Sequence, residues 1–243
     1  MSEKMGWKFV SFWHRENSSW EWWASEQLQQ IYNASKMDHP RLVVHQHHGT
    51  PGMNEAFLRD VVQPVACRTQ ASGCRFTLAT TLRLPESHVR SLSIYGHWLS
   101  QYYDHRIYNY SFHVTRNAQS SYVLNGHMLP QNSPSFSRGD ISVERVRPIL
   151  RKFNLVGFVE ELHQFVVDLE SHWGVPSGLV TRHAPHLNKH VPLEKSRKYA
   201  AAYDSSRLTE IAIKTALDAN VYLDFRSKKQ DTRDFLFKCH QHA

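Results

Sequence analysis

The sequence predicts an α/β fold, a parallel sheet with helices on both faces in a three-layer arrangement. Short runs rich in β-branched and aromatic residues alternate along the chain with segments of helical periodicity, the pattern of strand–helix–strand units. One of those runs, CRFTLATTL at 74–82, is almost continuously apolar, as expected of a strand covered on both sides. The chain has 243 residues, of which 41% are hydrophobic and 21% charged, the composition of an ordinary globular protein and a length that favours one domain spanning 1–243.

Residues 7–13, WKFVSFW, read as a first buried strand. After the polar HRENSS comes a helix from Trp20 to Ile31, with Trp20, Trp23, Leu28 and Ile31 near one face and Ser18 or Ser19 as its N-cap. RLVVH at 41–45 is a second strand, ending in the loop HQHHGTPG, and 53–63 is helical. The third strand at 74–82 is followed by Pro85, suited to the first turn of a helix that carries Val89, Leu92, Tyr95, Leu99 and Tyr102 at helical spacing. Residues 103–139 give no clear periodicity, and QNSPSFSRGD reads as a loop. Val143 to Leu150 is a short helix, and FNLV at 153–156 is a last strand. An amphipathic helix follows, with Phe158, Val159, Leu162, Phe165, Val166, Leu169 and Trp173 on one stripe. Asp204 or Ser205 caps a final helix that runs to about Leu223.

Lys and Arg total 29 against 22 Asp and Glu, so the formal net charge is +7. That balance favours anionic partners. The basic residues are scattered, with no block longer than Lys228-Lys229, which argues against a nucleic-acid-binding tail. No apolar run reaches the roughly 18–20 residues that a membrane-spanning helix requires, and MSEKMGWKF carries no apolar signal core. The three cysteines have no zinc-ligand spacing, which argues against a structural metal, while Cys67 and Cys74 are placed to close a small disulfide in an oxidising compartment.

Four groups of residues can carry chemistry. Arg15, Ser18 and Ser19 lie in the turn between the first strand and the first helix, where backbone N–H groups and the helix dipole favour an anion; the same residues also suit an ordinary serine-capped turn. His47 and His48 follow the second strand in a glycine-containing loop, a place for a general base, for a metal-ligating pair with His45, or for surface histidines without a role. Arg83 ends the third strand, with Ser91 and Ser93 on the next helix, a set able to pair with a phosphate; an arginine there can equally cap the sheet edge. Asn117 and Gln119 offer side-chain amides that can read a base or a sugar hydroxyl.

Taken in order, these groups resemble the sulfotransferases that use 3′-phosphoadenosine-5′-phosphosulfate (PAPS), in particular the Golgi carbohydrate branch that includes the uronyl 2-O-sulfotransferases. The resemblance runs from about residue 8 to 225. TLATTLRLPESHVRSLSIYGHW is similar to the family's 3′-phosphate segment, NAQSSYVLNG to its Asn-x-Gln-x-x-x-Leu segment, and LVGFVEELHQFVVDL to its Val-Gly-x-x-Glu helix.

The resemblance implies a P-loop-nucleotide-hydrolase-like fold, PAPS as donor with no metal, an acidic carbohydrate as acceptor and residence in the Golgi lumen. It also implies roles: Arg83 with Ser91 or Ser93 on the 3′-phosphate, Ser18 and Ser19 on the 5′-phosphosulfate, His47 or His48 as base, and Asn117 and Gln119 as substrate-binding residues. The sequence departs from the family at its first loop. HRENSSWEWW stands where the family has a Pro-Lys-Thr-Gly-Gly run, so neither its lysine nor its glycines are present and Arg15 is the nearest cation. An alternative reading is therefore an impaired relative that binds anionic glycans without turnover. A third is a metal-dependent hydrolase built on His45, His47 and His48.

Overall fold

The computed structural model describes residues 8–12, 29, 42–46, 54–89, 91, 116–125, 140–178, 205–227 and 239. Over these residues the chain is helix-rich α/β, with strands in parallel pairs. Strand β1 (Lys8–Phe12) pairs in parallel with β2 (Leu42–Gln46), Lys8 opposite Leu42 and Phe12 opposite Gln46. Strand β3 (Ala79–Leu82) pairs in parallel with β4 (Leu155–Phe158), Ala79 opposite Leu155 and Leu82 opposite Phe158. Parallel pairing requires a crossover between partners, and between β3 and β4 the described part of that crossover is helical.

Helix α1 (Glu55–Phe57) runs through a π-helical turn (Leu58–Val62) into α2 (Gln63–Ala71). Asn54 starts it, its side-chain oxygen accepting from the Phe57 N–H at 2.9 Å. Residues 85–89 are helical, as Pro85 foretells. Then come α3 (Ala118–Asn125), α4 (Val143–Leu150), a 3₁₀ turn (Val159–Glu161), α5 (Leu162–Trp173), α6 (Ser205–Lys214) and α7 (Ala216–Ser227). Gly174, at φ +65°, ends α5 in the left-handed conformation that glycine adopts without steric cost. No helix among the described residues is long and apolar enough to cross a membrane.

One core joins α1, the π-helical turn, α2, β3, α3, α4, β4 and α7, while Val89 and Ile211 of α6 form a second, smaller cluster. Leu58, Val61 and Ala66 meet Leu82 of β3, Val123 of α3, Val146 and Leu150 of α4, Val156 of β4 and Val221, Tyr222 and Phe225 of α7, all nearly inaccessible to solvent. Burial of such side chains is worth roughly 1.5–3 kcal/mol each. Arg147 of α4 and Asp224 of α7 close the rim of that core with an ion pair at 2.7 Å.

Several sequence expectations are corrected. The third strand is Ala79–Leu82 and not 74–82, because Leu78 is held by Asn154 instead of by a ladder: its N–H donates to Asn154 Oδ1 at 2.7 Å and its carbonyl accepts from the N–H groups of Asn154 and Leu155. The last strand is shifted from 153–156 to Leu155–Phe158, and α5 begins at Leu162, not Phe158. Apolar spacing alone could not separate the strand end from the helix that follows, and Leu162, placed on the apolar stripe, is 51% exposed.

AQSSYVLN, within the stretch read without clear periodicity, is helix α3. The single final helix is two, α6 and α7, separated at Thr215. The disulfide joins Cys67 to Cys239, with Cα atoms 5.4 Å apart, and leaves Cys74 as a free thiol. Cys67 lies within α2 and Cys74 beyond its end, where the Cys74 thiol donates to the Ser72 carbonyl instead. A helix rising about 1.5 Å per residue carries the chain away from Cys67 before it turns.

Candidate functional site

The parallel register of β3 and β4 brings two chain exits to one edge. After Leu82 the chain leaves as Arg83-Leu84-Pro85, and after Phe158 as Val159-Glu160-Glu161. Ligands of open parallel sheets bind outside this carboxyl end of the strands.

Arg83 is held there by its backbone. Gln119 of α3 lies beside it like a short strand: the Arg83 N–H donates to Gln119 Oε1 at 2.8 Å, and Gln119 Nε2 donates to the Arg83 carbonyl at 2.7 Å. The next N–H, of Leu84, donates to Glu160 Oε1 at 3.0 Å. Glu160 Oε2 in turn accepts from the Tyr222 hydroxyl at 3.3 Å. The Tyr222 ring packs edge-on against Phe158, with centroids 4.9 Å apart, and carries the Arg226 guanidinium 5.9 Å from its centre. Arg226 is paired with Glu161 at 2.6 Å.

The Arg83 side chain is half-buried, and among the described residues its buried Nε has no hydrogen-bond partner. Burial lowers its proton affinity, and the neighbouring Glu160 carboxylate offsets only part of that. A buried guanidinium nitrogen short of an acceptor is stabilised by an anion. Leu84, Val159 and Leu162, all exposed, give this edge apolar surface beside the cation.

Asn117 and Gln119 have their amides engaged within the protein. Asn117 has a left-handed backbone (φ +43°) and is 8% exposed. Its N–H donates to the Lys214 carbonyl, and its Oδ1 accepts from the N–H groups of Leu217 and Asp218 at 3.1 and 3.3 Å. It thereby enters the break between α6 and α7 and caps α7. Asp218 returns the cap. Its carboxylate accepts from the N–H groups of Gln119 and Ser120 at 3.0 and 2.8 Å and from the Ser120 hydroxyl at 2.5 Å. The N-termini of α3 and α7 therefore cap each other. Burial holds the Asp218 carboxyl above the usual aspartate range, against the downward pull of those three hydrogen bonds. A cavity of about 10 Å³, the space of one water, lies beside Asp218 and Ser120, lined further by Leu82, Val146 and Tyr222.

Of the residues singled out in the sequence, Arg83, Asn117 and Gln119 meet in this cluster. Ser91 is helical and half-buried. Arg15, Ser18, Ser19, His47, His48 and Ser93 lie outside the described residues, as does the helix expected at 20–31 apart from the helical Gln29. Strand β2 ends at Gln46, so the chain reaches its sheet edge immediately before His47. Among the described residues no group of His, Cys, Asp or Glu is arranged to hold a metal ion.

Glu160, Asp218 and Tyr222 were not singled out by sequence reasoning. The Val-Gly-x-x-Glu pattern marks Glu160, but as a helix residue, whereas it follows the strand. Nothing local distinguishes Asp218 or Tyr222, because their partners lie 62 to 99 positions away. Compared with family models, with curated proteins and with solved structures, the chain matches none.

Proposed function

We propose that this protein is a PAPS-dependent sulfotransferase acting on a hydroxyl of an acidic carbohydrate. The observation that carries the reading is Arg83, fixed by its backbone at the carboxyl end of a parallel strand with its buried Nε unpartnered among the described residues. That cation suits the donor's 3′-phosphate, with Ser91 or Ser93 beside it. In this reading β1–β2 and β3–β4 belong to one parallel sheet with helices on both faces, which would bring the loops after β1, β2 and β3 to a common edge. The net charge of +7 suits both the nucleotide and an acidic acceptor. The Cys67–Cys239 disulfide suits an oxidising lumen such as the Golgi.

The chemistry is an in-line displacement. The acceptor hydroxyl oxygen forms a bond to sulfur while the bond from sulfur to the 5′-phosphate oxygen breaks, releasing adenosine 3′,5′-bisphosphate. His47 or His48 takes the hydroxyl proton. Arg83 holds the 3′-phosphate and so places the sulfur, while Arg15, Ser18 and Ser19 serve the 5′ end. Without the family's lysine, leaving-group stabilisation is weaker; one missing transition-state donor costs roughly 10²–10³-fold in rate.

Transfer of labelled sulfate from PAPS to heparan- and chondroitin-type chains tests this reading. His47→Ala and His48→Ala, made singly, keep nucleotide binding while one of them abolishes transfer. Transfer unchanged in both variants overturns the base assignment, and no transfer by the wild type to any acidic glycan overturns the enzymatic reading.

HRENSSWEWW, without lysine or glycine, favours a second reading, a sulfotransferase-like protein that binds anionic glycans. Salt-sensitive heparin binding with no turnover of PAPS distinguishes it.

A further inference from the structure

We infer that α7 is the positioning element of the Arg83 anion site, with Asp218 and Tyr222 acting through two separate arms on the Arg83–Leu84 backbone. This rests on the reading of Arg83 as an anion ligand. Asp218 and Tyr222 stand four residues apart on α7 and are both buried, so they share the face turned to the core. From Asp218 the first arm runs to the N–H of Gln119 at 3.0 Å, and Gln119 then grips both backbone groups of Arg83. From Tyr222 the second arm runs to Glu160 Oε2 at 3.3 Å, and Glu160 Oε1 takes the Leu84 N–H at 3.0 Å.

Among the described residues the turn after β3 has no strand neighbour at this point, since β4 pairs only through Leu82. Two consecutive N–H groups that a ladder would satisfy are satisfied instead by side chains from two other elements. One helix therefore sets where the strand ends and how its terminal arginine is presented. Neither Asp218 nor Tyr222 has to touch the nucleotide, so both are positioning residues. The same wiring makes the arms separable, because Asp218 governs the Arg83 amide and Tyr222 governs that of Leu84.

Residue-resolved amide exchange, read together with nucleotide binding, tests the inference on the full chain carrying Asp218→Asn or Tyr222→Phe. Tyr222→Phe keeps the ring packing and removes only the hydroxyl, so it remains informative if Asp218→Asn does not fold. Loss of one hydrogen bond of about 1 kcal/mol corresponds to about a fivefold effect. Asp218→Asn speeds exchange at Arg83 by about that factor and Tyr222→Phe does so at Leu84, with Thr80 and Thr81 unchanged. Both variants weaken adenosine 3′,5′-bisphosphate by a similar factor and leave adenosine 5′-monophosphate, which lacks the 3′-phosphate, unaffected. Unchanged exchange at both amides, or uniform acceleration along β3, overturns the inference. Wild-type protein that binds the two nucleotides equally overturns the assignment of Arg83 to the 3′-phosphate, and the exchange pattern still decides whether α7 holds the turn.

Discussion

Replacing Asp218 with alanine removes the acceptor for three donors at once. The N–H groups of Gln119 and Ser120 and the Ser120 hydroxyl all end on this carboxyl, and Ser120 is 1% exposed, so its donors cannot turn to bulk water. Each buried donor left unpaired costs about 1–3 kcal/mol. Two effects reduce the total. The buried carboxyl no longer has to be desolvated, and the adjoining cavity of about 10 Å³ widens enough to admit water to the stranded donors. The net expectation is a loss of about 3 kcal/mol, at the lower end of the cost of breaking a buried charged network. For a chain of this length that lowers the melting temperature by about 6–12 °C.

The loss also depends on pH. Burial raises the folded-state pKa of Asp218 above its unfolded value. Its contribution to stability is therefore fully present below the unfolded pKa and is lost as pH rises through the folded value. Urea unfolding of wild type and Asp218→Ala, in mildly acid and in neutral buffer, gives a gap that is larger on the acid side. A gap below about 0.5 kcal/mol at both pH values, the range of ordinary surface substitutions, refutes the reciprocal cap, and a gap that widens toward neutral pH refutes the role of burial.

Gly157→Ala places a Cβ on the Phe165 ring, where α5 rests on β4, and overpacking of this kind costs about 2 kcal/mol; pairing it with Phe165→Ala removes the ring contacts and leaves only the close approach of the Phe165 Cβ, so thermal unfolding of the single and double variants shows partial relief. Peptide mapping without reduction finds Cys67 linked to Cys239 and Cys74 open to alkylation, whereas a Cys67–Cys74 peptide contradicts the structure. Cys239→Ser lowers stability by about 2–4 kcal/mol in urea unfolding, because the bridge closes a loop of 172 positions in the unfolded chain.

Local chemistry was legible in the sequence where it acts locally. Pro85 started a helix, Val143–Leu150 formed one, and the placing of Arg83 at a strand end stands one residue beyond β3. Where side chains replace backbone partners, periodicity misled. Asn154 satisfies Leu78 and so shortens β3, an exchange across 76 positions that no window of sequence contains. The break at Thr215 has the same origin, since the residue that enters it, Asn117, lies about a hundred positions earlier. At the site, Gln119 and Asn117 were visible as side-chain amides able to read a base or a sugar hydroxyl. Their actual partners, the Arg83 backbone and the first turn of α7, follow only from the packing of α3 against α7. The glycine of Val-Gly-x-x-Glu has a steric reason in Phe165, and its glutamate an electrostatic one in the Leu84 N–H, neither of which spacing discloses.

Calorimetric titration of the purified chain with adenosine 3′,5′-bisphosphate, repeated with Arg83→Ala, tests the central claim most directly. Charge-assisted hydrogen bonds to a phosphate are worth about 1.5–3 kcal/mol, so the account predicts measurable binding by the wild type that weakens by about 10- to 100-fold in the variant. Binding that Arg83→Ala leaves unchanged, or a wild-type chain that takes no nucleotide at all, contradicts it.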